Sequence, residues 1–327
     1  MAAQLDRNLA LELVRATEAA AMAASRWMGR GDKESVDQSA VDAMRLVLQN
    51  VDMDGIVVIG EGEKDEAPML YIGERIGNGN PPQVDVAVDP VDGTTLTANG
   101  LGGAISVVAL AERDSLFFTH VPYMDKLVVG PQACGAIDLL APPAENVRAV
   151  ARAYGRDARD LTVVILSRPR NEELIQQVRA TGARIRLIGD GDVAAGLMAL
   201  LEGHTGIDML MGIGGAPEGV ITACTVRCLG GDMQARLWAR DDGDRLLASS
   251  EGVDIGRVLT LDDLCSGENV FVAATGVTDG ELLGGVRYSS TGAVTESIVM
   301  RSASGTVRRI EAQHNFSRLR KLAGPRY

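Results

Sequence analysis

Aromatic side chains are scarce in this 327-residue chain: two tryptophans, five tyrosines and four phenylalanines make up 3 % of it. Its cores must therefore be aliphatic, and thirty-eight glycines imply many tight turns. Cysteine is rare too. Cys134, Cys224, Cys228 and Cys265 form no Cys-x-x-Cys pair, which excludes a zinc ribbon or a disulfide scaffold and leaves buried free thiols. Three histidines, His120, His204 and His314, are scattered without ligand spacing, so any metal site must be built from oxygen. Basic residues are outnumbered, 32 Lys and Arg against 44 Asp and Glu, for a net charge of −12. Nucleic acid and anionic lipid require a basic field and are not expected as partners. A phosphorylated substrate stays open, provided metals and local arginines receive it. No apolar run approaches the roughly 20 residues a membrane helix needs. The first residues, Met-Ala-Ala-Gln-Leu-Asp-Arg, are charged where a secretion signal would be apolar. A cytoplasmic protein without membrane contact is the expectation.

The informative segment is Val86 to Thr94, Val-Ala-Val-Asp-Pro-Val-Asp-Gly-Thr. A hydrophobic strand stops on Asp89, and Pro90 cannot continue the ladder. Asp92 follows, then a glycine for a tight turn and the hydroxyl of Thr94. Paired carboxylates at a rigid strand-to-turn junction suit hard divalent cations. The Gly93-Thr94-Thr95 backbone can turn its N–H groups toward an anion. Metal carboxylates beside a phosphate cradle are the parts of a metal-assisted phosphate hydrolase.

The length predicts two packed halves, 1–158 carrying the candidate metal site and 159–327 forming the second α/β half. Ala- and Leu-rich residues 6–28 and the periodic 35–50 predict two helices. Strands are predicted at 56–60, 84–88, 105–111 and 126–129. In the second half, strands at 161–166, 184–188 and 208–211 alternate with helices near 171–181, 192–202 and 217–229. That rhythm implies parallel crossovers. Ser167–Arg170, Gly189–Asp192 and Gly212–Glu218 then fall at the carboxyl ends of strands, where sites gather in such sheets. Further strands are predicted near 233–238, 270–275, 294–300 and 306–312, and the polar 240–262 reads as a surface excursion. The Gly212-Ile-Gly214 run suggests a dinucleotide loop, but Pro217 holds the third glycine position.

Acidic residues punctuate these elements: Asp37, the Glu61-Gly-Glu63-Lys-Asp65-Glu66 run, Asp89 with Asp92, and Glu218. Gathering carboxylates raises their pKa values, and a bound divalent cation reverses that cost. Glu218 follows the helix-starting Pro217, so dipole compensation is an alternative there.

These residues carry a resemblance. Asp89-Pro-Val-Asp-Gly-Thr94 preceded by Glu61-Gly-Glu63 resembles the lithium-sensitive, magnesium-dependent phosphatases, which include inositol monophosphatases and fructose-1,6-bisphosphatases. Trp27–Lys33, Ile59–Tyr71, Asp190–Ala195, Gly212–Gly219, Gly267–Val270 and Ala274–Gly280 narrow it to the bacterial class II fructose-1,6-bisphosphatases, over about residues 8–314. The resemblance implies a layered α/β/α/β/α sugar-phosphatase architecture and Mg²⁺ or Mn²⁺ held by Asp37, Glu61, Asp89, Asp92 and Glu218. Many members carry Glu where this chain has Asp92; the shorter arm keeps the ligand type. It also implies substrate contacts at Asp92, Gly93, Thr94, Tyr123, Arg168, Pro169, Arg170, Asp190, Gly191, Asp192 and Gly215. The arginines would pair with the distal phosphate, and Asp190 and Asp192 would accept sugar hydroxyls. Asp192-Val-Ala-Ala also matches the superfamily's third metal motif, so Asp192 is open to either role, with sugar contact favoured.

The implied reaction is hydrolysis of the 1-phosphate of fructose 1,6-bisphosphate to fructose 6-phosphate and phosphate, in gluconeogenesis. Thr94, poised by Asp65 or Glu61, would orient the attacking water or relay its proton; an unactivated threonine is a weak nucleophile. The alternatives are sedoheptulose 1,7-bisphosphate, an inositol or a nucleotide phosphate as substrate, and a non-catalytic sugar-phosphate sensor. The family implies a homodimer or homotetramer.

Overall fold

The computed structural model describes residues 9–62, 69–201, 203 and 205–323. Along the chain the helices are α1 (Leu9–Ser25), α2 (Lys33–Leu48), α3 (Thr94–Ala98), α4 (Pro143–Ala153), α5 (Glu172–Arg179), α6 (Asp192–Leu200), α7 (Ala216–Leu229), α8 (Asp242–Ser250), α9 (Leu261–Leu264) and α10 (Phe316–Ala323). The strands are β1 (Asp54–Ile59), β2 (Arg75–Ile76), β3 (Gln83–Asp92), β4 (Ile105–Glu112), β5 (Tyr123–Val129), β6 (Thr162–Leu166), β7 (Arg184–Ile188), β8 (Met209–Gly215), β9 (Asp232–Leu237), β10 (Leu259–Thr260), β11 (Phe271–Gly276), β12 (Arg287–Tyr288), β13 (Gly292–Arg301) and β14 (Thr306–Asn315).

Alternation on the strands sorts these elements into layers. In β3, Val84, Val86 and Val88 face one core while Ala87 faces another. The first core is closed by α1 and α2, whose Leu13, Val36, Val41, Met44 and Leu48 pack on that face. The opposite face meets α6 and α7, which are apolar on nearly every side because they lie between two sheets. Beyond them stands the second sheet, whose far face carries α4 and α5 through Val147, Val150, Ile175 and Val178. The result is the α/β/α/β/α stack expected from the sequence.

The first sheet runs β12-β13-β11-β4-β3-β1-β2, with β14 on the outer side of β13. The second runs β10-β9-β5-β8-β6-β7. Strands β6, β7 and β8 are parallel, as their crossover helices require, whereas β5 and β9 join antiparallel. Each sheet takes strands from both sides of residue 158: β5 sits in the second, and β11 to β14 return to the first. The 240–262 segment is more ordered than a surface excursion. It holds α8, capped by Asp241, and β10 paired to β9, and it buries Ala248 and Leu259.

Candidate active site

The strand expected to stop on Asp89 instead runs to Asp92, because a bulge absorbs Pro90. Pairing with β4 holds from Val84 to Asp89, breaks, and resumes at Asp92 opposite Ile105. The bulge centres on Pro90 and Val91, and the Val91 N–H donates to Asp89 Oδ1 at 3.0 Å. Gly93 then takes a left-handed conformation (φ 101°) that reverses the chain into α3. Thr94 therefore begins a helix with its hydroxyl free to reach α2. It donates to Asp37 Oδ1 at 2.6 Å and approaches the Val91 carbonyl at 3.1 Å. The sequence reading gave this hydroxyl to Asp65 or Glu61; among the described residues its acidic partner is Asp37. Asp65, with Glu63 and Glu66, lies outside the described residues, as does His204.

Three further segments converge here. Glu61 follows β1. The β7–α6 turn presents Asp190 and Asp192 around the left-handed Gly191, and Asp190 Oδ2 accepts the Thr95 N–H at 3.2 Å. The first turn of α7 presents Glu218, whose Oε2 is buried with no hydrogen-bond partner. Any Cβ at residue 215 would stand 1.7 Å from that oxygen, so a larger residue there would displace the Glu218 carboxylate. Asp37, Glu61, Asp89, Asp92, Thr94, Asp190, Asp192 and Glu218 line one hollow of about 290 Å³. A second hollow of about 350 Å³ is lined by Tyr123, Arg168, Arg170 and Gly215 and shares Asp190, Asp192, Pro217 and Glu218 with the first. The larger 500 Å³ cavity behind Gly191, walled by Leu96, Ile105, Met198 and Leu283, lacks such a convergence of carboxylates.

The electrostatics of the first hollow are one-sided. Burial, then Asp92 and Glu61, raise the Asp89 carboxyl well above its usual range. Burial and Asp192 do the same to Asp92, against the pull of the Ala194 N–H, which donates to Asp92 Oδ2 at 2.9 Å. Removal from water and Asp192 lift Glu218, while Lys126 opposes them. Glu61 rises to about 7 through partial loss of water, then Asp37 and Glu218. Its side chain keeps an exposed surface, so solvent screens part of this. Among the described residues no three of these groups are already closed around a single point as a metal would draw them. The donor set is nonetheless all carboxylate, mutually repelling and partly orphaned, which is the chemistry that hard divalent cations relieve.

Tyr123, at the wall of the second hollow, has two guanidinium groups over its ring, Arg170 at 4.4 Å and Arg240 at 5.6 Å, and meets Trp238 edge-on at 6.1 Å. Arg170 Nε donates to the Ile213 carbonyl at 3.1 Å, which holds its fork over the cleft. The sequence reading missed Arg240 and Trp238, which carry no local motif. It also missed Lys33, which donates to Thr95 Oγ1 at 2.8 Å, and Lys126, a cation buried in the second sheet. Lys126 did leave a signal: a charged residue at an inward position of Met124–Val129.

Comparison with known proteins shows the family. Residues 7–314 match the model of the family described as bacterial fructose-1,6-bisphosphatase, glpX-encoded. The chain is 45 % identical to fructose-1,6-bisphosphatase 1 class 2 of Escherichia coli K12, over 96 % of this chain and 97 % of that protein. The same figures hold for the fructose-1,6-bisphosphatase class 2 of Shigella flexneri. A strand ending in Asp-Pro-Val-Asp-Gly-Thr, opposed by carboxylates from α2, β1 and α7, is thus read in its family context: the chain belongs to the glpX-encoded bacterial fructose-1,6-bisphosphatases.

Proposed function

We propose that this chain hydrolyses the 1-phosphate of fructose 1,6-bisphosphate, releasing fructose 6-phosphate and phosphate in gluconeogenesis. The observation that carries the reading is the pair of joined hollows, one walled by carboxylates and Thr94, the other by Arg168, Arg170 and Tyr123. Asp37, Glu61, Asp89, Asp92 and Glu218 are the residues that would hold Mg²⁺ or Mn²⁺. Those ions, when bound, neutralise phosphoryl oxygens and acidify a water.

The chain's own groups do the rest. Gly93 and Thr94 open α3 beside the 1-phosphate. The Thr94 hydroxyl donates to Asp37, so its lone pairs remain to accept a hydrogen bond from the incoming water and align it with the P–O bond; as the water's proton moves to Thr94, the Thr94 proton passes on to Asp37. Glu61 and Asp65 complete the proposed catalytic set. Arg168 and Arg170, flanking Pro169, take the 6-phosphate, and the planar fork suits two of its oxygens. Tyr123, Asp190, Gly191, Asp192 and Gly215 frame the sugar between the two phosphates. The functional division stays at 158/159: most metal carboxylates precede it and most sugar-phosphate contacts follow it. The enzyme is proposed to work in the cytoplasm as a homodimer or homotetramer; among the described residues no helix is long and apolar enough to cross a membrane.

The test is orthophosphate release with Mg²⁺ and Mn²⁺ titrated in turn, across fructose 1,6-bisphosphate, sedoheptulose 1,7-bisphosphate, an inositol monophosphate and a nucleoside monophosphate. Preference for fructose 1,6-bisphosphate is expected. Preference for another substrate would replace this reading, and binding without turnover would make the protein a sensor.

A further inference from the structure

Lys126 is 2 % exposed and stands among the largest fully buried side chains of the described residues. It lies on β5, level with Gly212 of β8 on one side and Ala235 of β9 on the other. Its Nζ pairs with Asp192 Oδ2 and donates to the Gly215 carbonyl at 3.0 Å. Asp192 is 6 % exposed and lines both hollows. Gly214 leaves room for this pair. A Cβ there would stand 2.0 Å from Asp192 Oδ2 and 2.8 Å from Lys126 Nζ. Gly214 and the Gly215 carbonyl, in a run that resembles a nucleotide loop in sequence, therefore border the lysine's head group where it reaches the site.

Stability does not account for such a pair. Burying two charges costs about what their attraction returns, and an apolar side chain of similar size would serve the core as well. What the pair does determine is the direction of one carboxylate. From this geometry we infer that Lys126 is a positioning residue: it pins Asp192 as an acceptor for the sugar and withholds it from the metal site. An oxygen that already receives an ammonium group is a poor seat for a dication, because the two positive charges repel. A neutral hydroxyl meets no such opposition. The Gly215 carbonyl, held by the same Nζ, fixes the start of α7 and with it Glu218. One buried cation thus separates sugar-binding carboxylate from metal-binding carboxylates.

The inference rests on the sugar-phosphate reading above, and binding measurements test it without turnover. Fructose 6-phosphate affinity is measured by calorimetry and Mn²⁺ stoichiometry by electron paramagnetic resonance, for the wild type, Lys126→Met, Asp192→Asn, Gly214→Ala and the Lys126→Met/Asp192→Asn pair. Each single change is expected to weaken fructose 6-phosphate ~10-fold or more, and the pair to be no worse than Asp192→Asn alone. The Mn²⁺ count is expected to stay unchanged in Asp192→Asn and Gly214→Ala; in Lys126→Met, where Asp192 is freed, Mn²⁺ is expected to rise in count or bind more tightly. Should Lys126→Met not fold, Gly214→Ala and Asp192→Asn carry the same decision. Loss of one Mn²⁺ equivalent in Asp192→Asn would make Asp192 a ligand and overturn the assignment. Wild-type fructose 6-phosphate affinity in Lys126→Met and Gly214→Ala would overturn the lysine's role alone. Absence of binding in the wild type would defeat the sugar reading together with it.

Discussion

Replacing Thr94 by alanine removes one hydroxyl and little else. That hydroxyl donates to Asp37 Oδ1 at 2.6 Å and is half-exposed. As a structural bond it is worth ~1 kcal/mol. A domain with ~5 kcal/mol or more of stability remains over ~99 % folded after that loss. If the hydroxyl aligns the attacking water, kcat falls by ~10²-fold, which is ~2.7 kcal/mol of barrier. The two magnitudes separate the explanations, because unfolding cannot produce a hundredfold loss. KM is expected to move little, since the group acts in the transition state. A secondary effect points the same way. Burial raises the Asp37 carboxyl and the Thr94 bond pulls it down, so alanine lets it rise further and favours its protonated form. The assay is steady-state phosphate release at saturating Mg²⁺, with a thermal melt as control and Thr94→Ser as rescue. A kcat within ~3-fold of wild type in Thr94→Ala, or a serine variant as slow as alanine, would refute the reasoning.

Exhaustive chelation is expected to abolish turnover and added Mn²⁺ or Mg²⁺ to restore it; activity surviving chelation removes the carboxylate site from the mechanism. Gly215→Ala places a Cβ 1.7 Å from Glu218 Oε2, so it should weaken metal activation ~10-fold or more while leaving the fold's melting nearly intact, which a metal titration beside a thermal melt checks. Glu18 lies between α1 and the first sheet, accepts from Thr295 Oγ1 at 3.3 Å and sits 3.9 Å from His314 Nε2. Burial raises it from its ordinary 4.5 to about 7. A raised carboxyl stabilises the fold below pH ~4.5 and that stability is lost as pH climbs through ~7. Glu18→Gln should therefore be more stable than wild type at pH 8, by up to ~3 kcal/mol, and nearly equal to it at pH 5. Equal differences from wild type in urea melts at the two pH values would show that this carboxyl does not ionise there.

The parts of the site legible in the sequence are those where one residue type at one place has a single physical reason. A strand that reaches Asp-Pro cannot keep its ladder unbroken, so Asp89, Asp92 and Thr94 were locatable before any coordinates, although the strand resumes at Asp92 rather than stopping at Asp89. Strand ends in a parallel stretch made Arg168–Arg170, Asp190–Asp192 and Gly215–Glu218 neighbours on paper, and they line one cleft. The five-layer stack was implied by the family resemblance, and the structure shows its physical basis in the alternation on β3 and the apolar α6 and α7 between the sheets. What was hidden depends on contacts distant in sequence. Thr94 finds Asp37, 57 positions away, rather than Glu61, because the Pro90-Val91 bulge and Gly93 aim α3 at α2. The exchange of strands between sheets was hidden as well: no local pattern in β5 or β13 names its partner.

The charge balance explains why this architecture needs its cations. Seven carboxylates, Asp37, Glu61, Asp89, Asp92, Asp190, Asp192 and Glu218, line the first hollow. Against them stand the buried Lys126 and the N-termini of α6 and α7, the first meeting Asp92 through the Ala194 N–H and the second carrying Glu218 in its first turn. Each helix end counts as roughly half a positive charge, so full ionisation would leave roughly −5 in the hollow. Such a field repels a phosphate dianion. Protonation relieves part of it, which is the direction in which Glu61, Asp89, Asp92 and Glu218 are all pushed. Protonated carboxyls, however, neither attract a phosphate nor acidify a water. Divalent cations do both, and each cancels two charges. On the proposed reading, the arginines of the adjoining hollow would hold the far phosphate without competing for the same carboxylates. Of the three carboxylates that line both hollows, Asp190, Asp192 and Glu218, it is Asp192 that Lys126 pairs with.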